Sequence, residues 1–159
     1  MKMKKLILSF ITVFSLLACS TDDEKTGGDS GSGISNSPLS GKLYGVNFTA
    51  DGGRADLNVV FGDAVVEIRI GSEGLACETG QFSGEFPIRI TAPRTEGTHN
   101  SNVYVTFNDP NSDSFISVSG GIEIEIITLT ETSVDFKIKA TSTSTDNNIN
   151  GRHQVAICE

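Results

Sequence analysis

The chain has 159 residues, a formal net charge of −8, 37% hydrophobic and 20% charged residues, and no tryptophan. That length fits one modest domain with appendages, and the apolar fraction supports a packed core. The acidic balance repels phosphate backbones, which excludes nucleic acid as an expected partner.

The first element is a leader. Met1 to Lys5 carries Lys2, Lys4 and Lys5, and Leu6 to Leu17 is an apolar run of twelve residues. A bilayer span needs about 20 apolar residues, so the run has the length of a secretory h-region instead. It ends in Leu16-Leu17-Ala18-Cys19, with a cysteine where a plain secretory leader would place a cleavage site. This stretch resembles the lipobox of bacterial lipoproteins. The resemblance implies cleavage before Cys19, lipid on its thiol and an acyl group on its new amine. Each buried methylene contributes about 0.8 kcal/mol, so two or more chains anchor stably. Ser20-Thr21-Asp22-Asp23-Glu24-Lys25 follows directly. It resembles the acidic export signal of Bacteroidota surface lipoproteins, with Asp22, Asp23 and Glu24 as the signal. That implies the outer face of the outer membrane; the alternative is the periplasmic face, with the acids only solvating a tether.

Thr26 to Ser37 has Ile34 as its single apolar residue and reads as a flexible Gly/Ser coil. The expected organisation is a signal peptide over 1–18, a lipidated acidic and Gly/Ser-rich tether over 19–38, and one β domain over 39–159.

From Leu39 onward the recurring pattern is period-2 alternation. Leu43, Val46 and Phe48 mark a first strand broken by Gly45. Ala55 to Phe61 marks a second, closed by a Gly62-Asp63 turn. Val66, Ile68 and Ile70 mark a third, and Phe86, Ile88 and Ile90 a fourth that Pro93 stops. Val103 to Phe107 and then Ile116 and Val118 continue the series. Ile122 to Ile126 and Val134 to Ala140 form the clearest hairpin. With Leu129 opposite Ser133, Glu125 faces Lys137 and Glu123 faces Lys139, while Ile124 meets Ile138 and Ile126 meets Phe136. Each opposite-charge pair contributes about 0.2–1 kcal/mol. Ile127 opposite Asp135 fits badly, which predicts a bulge there. Val155 and Ile157 form a short closing strand. The fold class is all-β, a single antiparallel β-sandwich of about eight or nine strands, with a closed lipocalin-like barrel as the alternative.

With Cys19 used for lipid, Cys77 and Cys158 remain as an even pair in an oxidising compartment. They predict a structural disulfide, with a metal or redox pair as the alternative. Asp109-Pro110-Asn111-Ser112-Asp113 opens like a calcium loop, but Ser114 stands where glycine is needed and Gly120 where glutamate is needed. Asp109, Asn111 and Asp113 are therefore weak metal candidates beside the reading as a polar hairpin loop. His99 reads as a solvated loop residue and His153 as the lead into the last strand. No GxSxG elbow is present, so no catalytic residue is assigned, an enzyme is not expected, and no cofactor is implied. The arginines are scattered with no aromatic cluster beside them, and Tyr104 should face solvent or a sheet rim.

Gly41 to Thr49, Phe86-Pro87-Ile88, Gly121 to Ile126 and Val155 to Cys158 make the domain similar to small all-β lipoproteins of the Bacteroidota. The resemblance implies an anchored β body with no assigned activity and no catalytic residues to transfer. The expected function is cell-surface binding through the loops Thr95–Asn102, Asn108–Ser114 and Asp146–Gly151. Expected partners are the membrane through the lipid anchor and an outer-membrane or extracellular protein or glycan. The alternatives are an accessory subunit of an uptake or adhesion complex and a barrel holding a small apolar ligand.

Overall fold

The structure is a computed structural model that describes residues 33–71, 77 and 86–158. Cys19, Asp22, Asp23 and Glu24 lie outside the described residues. The described chain is all-β. Its strands are β1 (Ser40–Leu43), β2 (Val46–Thr49), β3 (Gly52–Val60), β4 (Asp63–Gly71), β5 (Ile88–Pro93), β6 (Gly97–His99), β7 (Tyr104–Asn108), β8 (Phe115–Val118), β9 (Ile122–Leu129), β10 (Ser133–Ser142) and β11 (Asn147–Ile157).

One sheet runs in the order β6-β9-β10-β11-β3-β4-β5-β7-β8, and β1 pairs with β11 and carries β2. Every strand pairing is antiparallel except a two-residue parallel ladder, Ala156 with Arg54 and Ile157 with Ala55, that joins β11 to β3. The sheet curls into a half-barrel, and chain connectivity requires the curl. Only Arg94–Glu96 separates β5 from β6, although β6 begins the sheet order and β5 lies six places along it. Three residues bridge at most about 15 Å, at about 3.8 Å per Cα step. The sheet must therefore curl far enough to bring β6 near β5.

Curling gives the sheet an inner face. Ile68 and Ile70 of β4, Ile88 and Ile90 of β5 and Phe107 of β7 share one core with Ile124 and Ile126 of β9, Phe136 and Ile138 of β10 and Ile149 of β11. The alternation of isoleucine with charged residues is what fills this interior and leaves the outer face polar.

The β9–β10 hairpin has the expected register over most of its length. Phe136 pairs with Ile126, Lys137 with Glu125, Ile138 with Ile124 and Lys139 with Glu123. Lys137 Nζ lies 2.8 Å from Glu125, while Lys139 and Glu123 are neighbours without an ion pair. The register breaks between Asp135 and Phe136, which leaves Ile127 as the extra residue. Beyond the break Leu129 pairs with Val134, not with Ser133. Asp135 turns instead toward β11, where Arg152 Nε donates to it at 3.0 Å.

Two tight turns depart from expectation. The apparent first strand is a hairpin, β1–β2, folded at Tyr44-Gly45 with φ of 50° and 80°. The β3–β4 turn is Phe61-Gly62, one residue earlier than expected, with φ of 52° and 94°. Two successive positive φ values are the type I′ geometry that matches strand twist.

The folded chain includes Gly33 to Leu39. Ile34 is buried, as is Leu39. Ser35 N donates to Asn150 Oδ1 at 2.8 Å, Arg152 N to Ser37 O at 2.8 Å and Leu39 N to Arg152 O at 2.9 Å. This segment crosses β11 at Gly151, where an added Cβ would meet Leu39 Cα at 2.6 Å and Pro38 O at 2.7 Å. Only glycine allows that crossing.

Candidate functional site: a trough on the outer sheet face

The outward residues of β4, β5, β7 and β8, with the tip of the β3–β4 hairpin, frame a surface trough of about 670 Å³. Strand register sets out its floor. Glu67 stands opposite Thr91, and Thr91 opposite Tyr104. One rung along, Arg69 stands opposite Arg89, Arg89 opposite Thr106, and Thr106 opposite Ser117. Directly opposed Cβ atoms sit about 4.5–5.5 Å apart, so these side chains form a contiguous patch. Phe61 and Val60 rise at one end and Asn102 lies at another margin.

The charges are not equivalent. Arg69 donates through Nε at 3.1 Å and Nη2 at 2.6 Å to Glu67 Oε1. Its Nη1 faces Asp56 Oδ2 at 3.1 Å, and Asp56 Oδ1 accepts from Arg54 Nη2 at 2.7 Å. Arg54, Asp56, Glu67 and Arg69 thus form a network along β3 and β4. Arg89 is exposed and has no hydrogen bond or ion pair among the described residues. Two like charges face each other across β4 and β5. The carboxylates take up that of Arg69, and the guanidinium of Arg89 is left to the trough.

Two aromatic side chains flank this patch. Phe61 is fully exposed and Tyr104 is 53% exposed. Phe61 also occupies a left-handed backbone conformation that costs a non-glycine residue about 1–2 kcal/mol. Asn or Asp is the usual choice at this turn position. An aromatic ring held in water on a strained turn is a poor solution for stability alone.

The sites expected from the sequence fall elsewhere. Asp109 closes its own loop: it accepts from Asn111 N at 2.9 Å and from Ser112 Oγ at 2.9 Å. These bonds hold its carboxyl below the usual range, the backbone N–H of Asn111 contributing most. Asn111 and Asp113 are exposed in the same loop, and the carboxylate is engaged with loop donors. No cluster of three or more His, Cys, Asp or Glu occurs among the described residues. His99 is not in a loop. It belongs to β6 opposite Ile124, and its Nε2 lies 2.8 Å from Thr95 O. Most of Asp146–Gly151 is not a loop either: β11 begins at Asn147, whose buried side chain donates to Thr145 Oγ1 at 2.7 Å and accepts from Tyr44 N at 2.5 Å. Of the three loops expected to make contacts, Thr95–Asn102 supplies Asn102 to the trough. Tyr104 faces solvent as expected. Cys77 and Cys158 form the expected disulfide across 81 residues.

His153 lies on the inner face of β11, edge-on to Phe136 with ring centroids 6.5 Å apart. Burial pushes its pKa down, only partly opposed by the Gly52 backbone and Asp51. Below about pH 6.5 the unfolded chain then binds a proton that the folded one resists, so stability falls as pH drops through that range. Melting temperature should decline between pH 7.5 and 5, and His153→Gln should flatten the decline. An unchanged slope would show that His153 does not set it.

The trough escaped sequence reading because its members come from four strands and each looks like an ordinary outward residue. The one local sign is Phe61-Gly62, an aromatic ring at a hairpin position that favours asparagine. The chain matches no family model, no curated protein and no solved structure.

Proposed function

We propose that the protein is a lipid-anchored, cell-surface binding module without catalysis, and that its contact surface is the outer trough of β4, β5, β7 and β8. The observation that carries this reading is the trough itself. A rigid sheet presents Tyr104 and Arg89 beside a strained, fully exposed Phe61. Sites on strands hold side chains more firmly than sites on loops. The packed interior also favours an external site, because Phe107 and Phe136 are fully buried in the shared core, where a barrel ligand would sit. The Cys77–Cys158 disulfide supports an extracytoplasmic setting. Anchoring rests on the lipobox resemblance at Cys19, and surface export on Asp22, Asp23 and Glu24.

The test is protease accessibility on intact cells making wild type, Cys19→Ala and the triple alanine variant of Asp22, Asp23 and Glu24. Surface binding predicts that wild type is cleaved, that Cys19→Ala leaves the membrane fraction, and that the triple variant is lipidated yet protected. Protection of lipidated wild type would move the module to the periplasmic face.

A further inference from the structure

We infer that the trough takes a carboxylate ligand borne on a ring, with the carboxylate on Arg89 and the ring against Tyr104 and Phe61. This rests on the reading of the trough as the contact surface and names the chemistry it would recognise. Arg89 is the basic residue that lines the trough, and it has no partner among the described residues; Arg69, opposite it on β4, is engaged by Glu67 and Asp56. A guanidinium offers paired donors whose spacing matches a carboxylate. Tyr104 lies one strand away and one rung along from Arg89, within the diagonal reach of an aromatic side chain. Thr91, Thr106 and Ser117 add hydroxyl groups between them.

A peptide in strand form fits this floor poorly. The backbone groups of β4, β5 and β7 are used in ladders on both sides, and strand addition needs a free edge. Recognition on the floor must come from side chains: the Arg89 guanidinium, the hydroxyls of Thr91, Thr106 and Ser117, the Asn102 amide, two aromatic faces, and the carboxylates of Asp63 and Glu67, of which Glu67 is held by Arg69. The net charge of −8 opposes anions at long range. At physiological salt that field is screened beyond about 8 Å. Within the trough Glu67 is paired with Arg69, and Asp63 stands at the β3–β4 turn, away from the rung of Arg69 and Arg89. A uronate sugar and an aromatic acid share this chemistry and are the two sources to distinguish.

The experiment is calorimetric titration of the full chain with digalacturonate, phenylacetate and neutral digalactose, with tyrosine fluorescence followed in parallel. The absence of tryptophan leaves tyrosine emission clean, and Tyr104→Phe assigns the response to the trough. At least one anion should bind at least about tenfold more tightly than digalactose, and which one binds identifies the source. Arg89→Gln should abolish that preference. Phe61→Asn should weaken binding while raising Tm, since asparagine suits the turn; a loss of binding through misfolding would lower Tm instead. If digalactose binds as well as the anions, quenches Tyr104 and ignores Arg89→Gln, the carboxylate inference is overturned and the trough remains a binding surface. If no probe binds or quenches Tyr104, both are overturned.

Discussion

Cys158→Ala should lower the unfolding free energy by up to about 4.5 kcal/mol, the chain-entropy value for a loop of this length. The disulfide closes 81 residues, and its position makes the loss local as well as global. The sheet has two wings, β6-β9-β10-β11 and β3-β4-β5-β7-β8. Their strand pairing at the join is the two-residue parallel ladder of β11 and β3. Cys158 N donates to Ala55 O at 2.7 Å at the end of that ladder, and Arg54 Nη1 reaches Cys77 O at 3.4 Å. The bond therefore pins the weakest join in the sheet. Denaturant unfolding with and without reductant measures the global effect. Amide exchange should rise first at Ala156, Ile157 and Ala55. Uniform loss of protection would show that the disulfide acts on the unfolded chain alone.

Phe136→Ala should cost about 3–5 kcal/mol, the range for emptying a buried phenylalanine site. Phe136 is fully buried in β10, between Ile126 of β9 and His153 of β11. Backbone ladders flank it on both sides, so the walls cannot close on the space. The His153 ring meets it edge-on and would lose part of its cover. Denaturation midpoints report the cost. An NMR titration should also find the His153 pKa moved back toward its ordinary value as water enters. A loss below 1 kcal/mol would mean that the core collapses around the gap.

Both effects draw on parts of the fold that are legible in the sequence. The β9–β10 hairpin was readable because two independent patterns, isoleucine pairing and charge pairing, demand the same register. The misfit of Ile127 with Asp135 was readable as a bulge for the same reason. Other parts carry no such redundancy. Gly97-Thr98-His99 has no apolar residue, so β6 is created by pairing with β9 and not by local preference. Asn147 to Asn150 looks like a polar loop because Asn147 puts an amide, not a hydrocarbon, on the inner face. Tyr44 at a turn looks like a strand residue. The trough is a product of lateral strand order, and strand order is invisible to a reading along the chain. Arg69 and Arg89 look alike in sequence; only the network with Asp56 and Glu67 separates a neutralised arginine from an available one.

The crossing of Gly33–Leu39 over Gly151 has a mechanical consequence. Tension applied on the N-terminal side of Gly33 enters the body through the bonds of Ser35, Ser37 and Leu39 to Asn150 and Arg152. Those residues belong to β11, which pairs with β10 along its length and with β1 and β3 on its other side. A load taken up by an interior strand is shared between the ladders on its two flanks. It does not begin by peeling a lone strand from a sheet margin. Tension at Gly33 therefore enters through β11 and reaches β8, at the far end of the trough's wing, only through the successive ladders of β3, β4, β5 and β7.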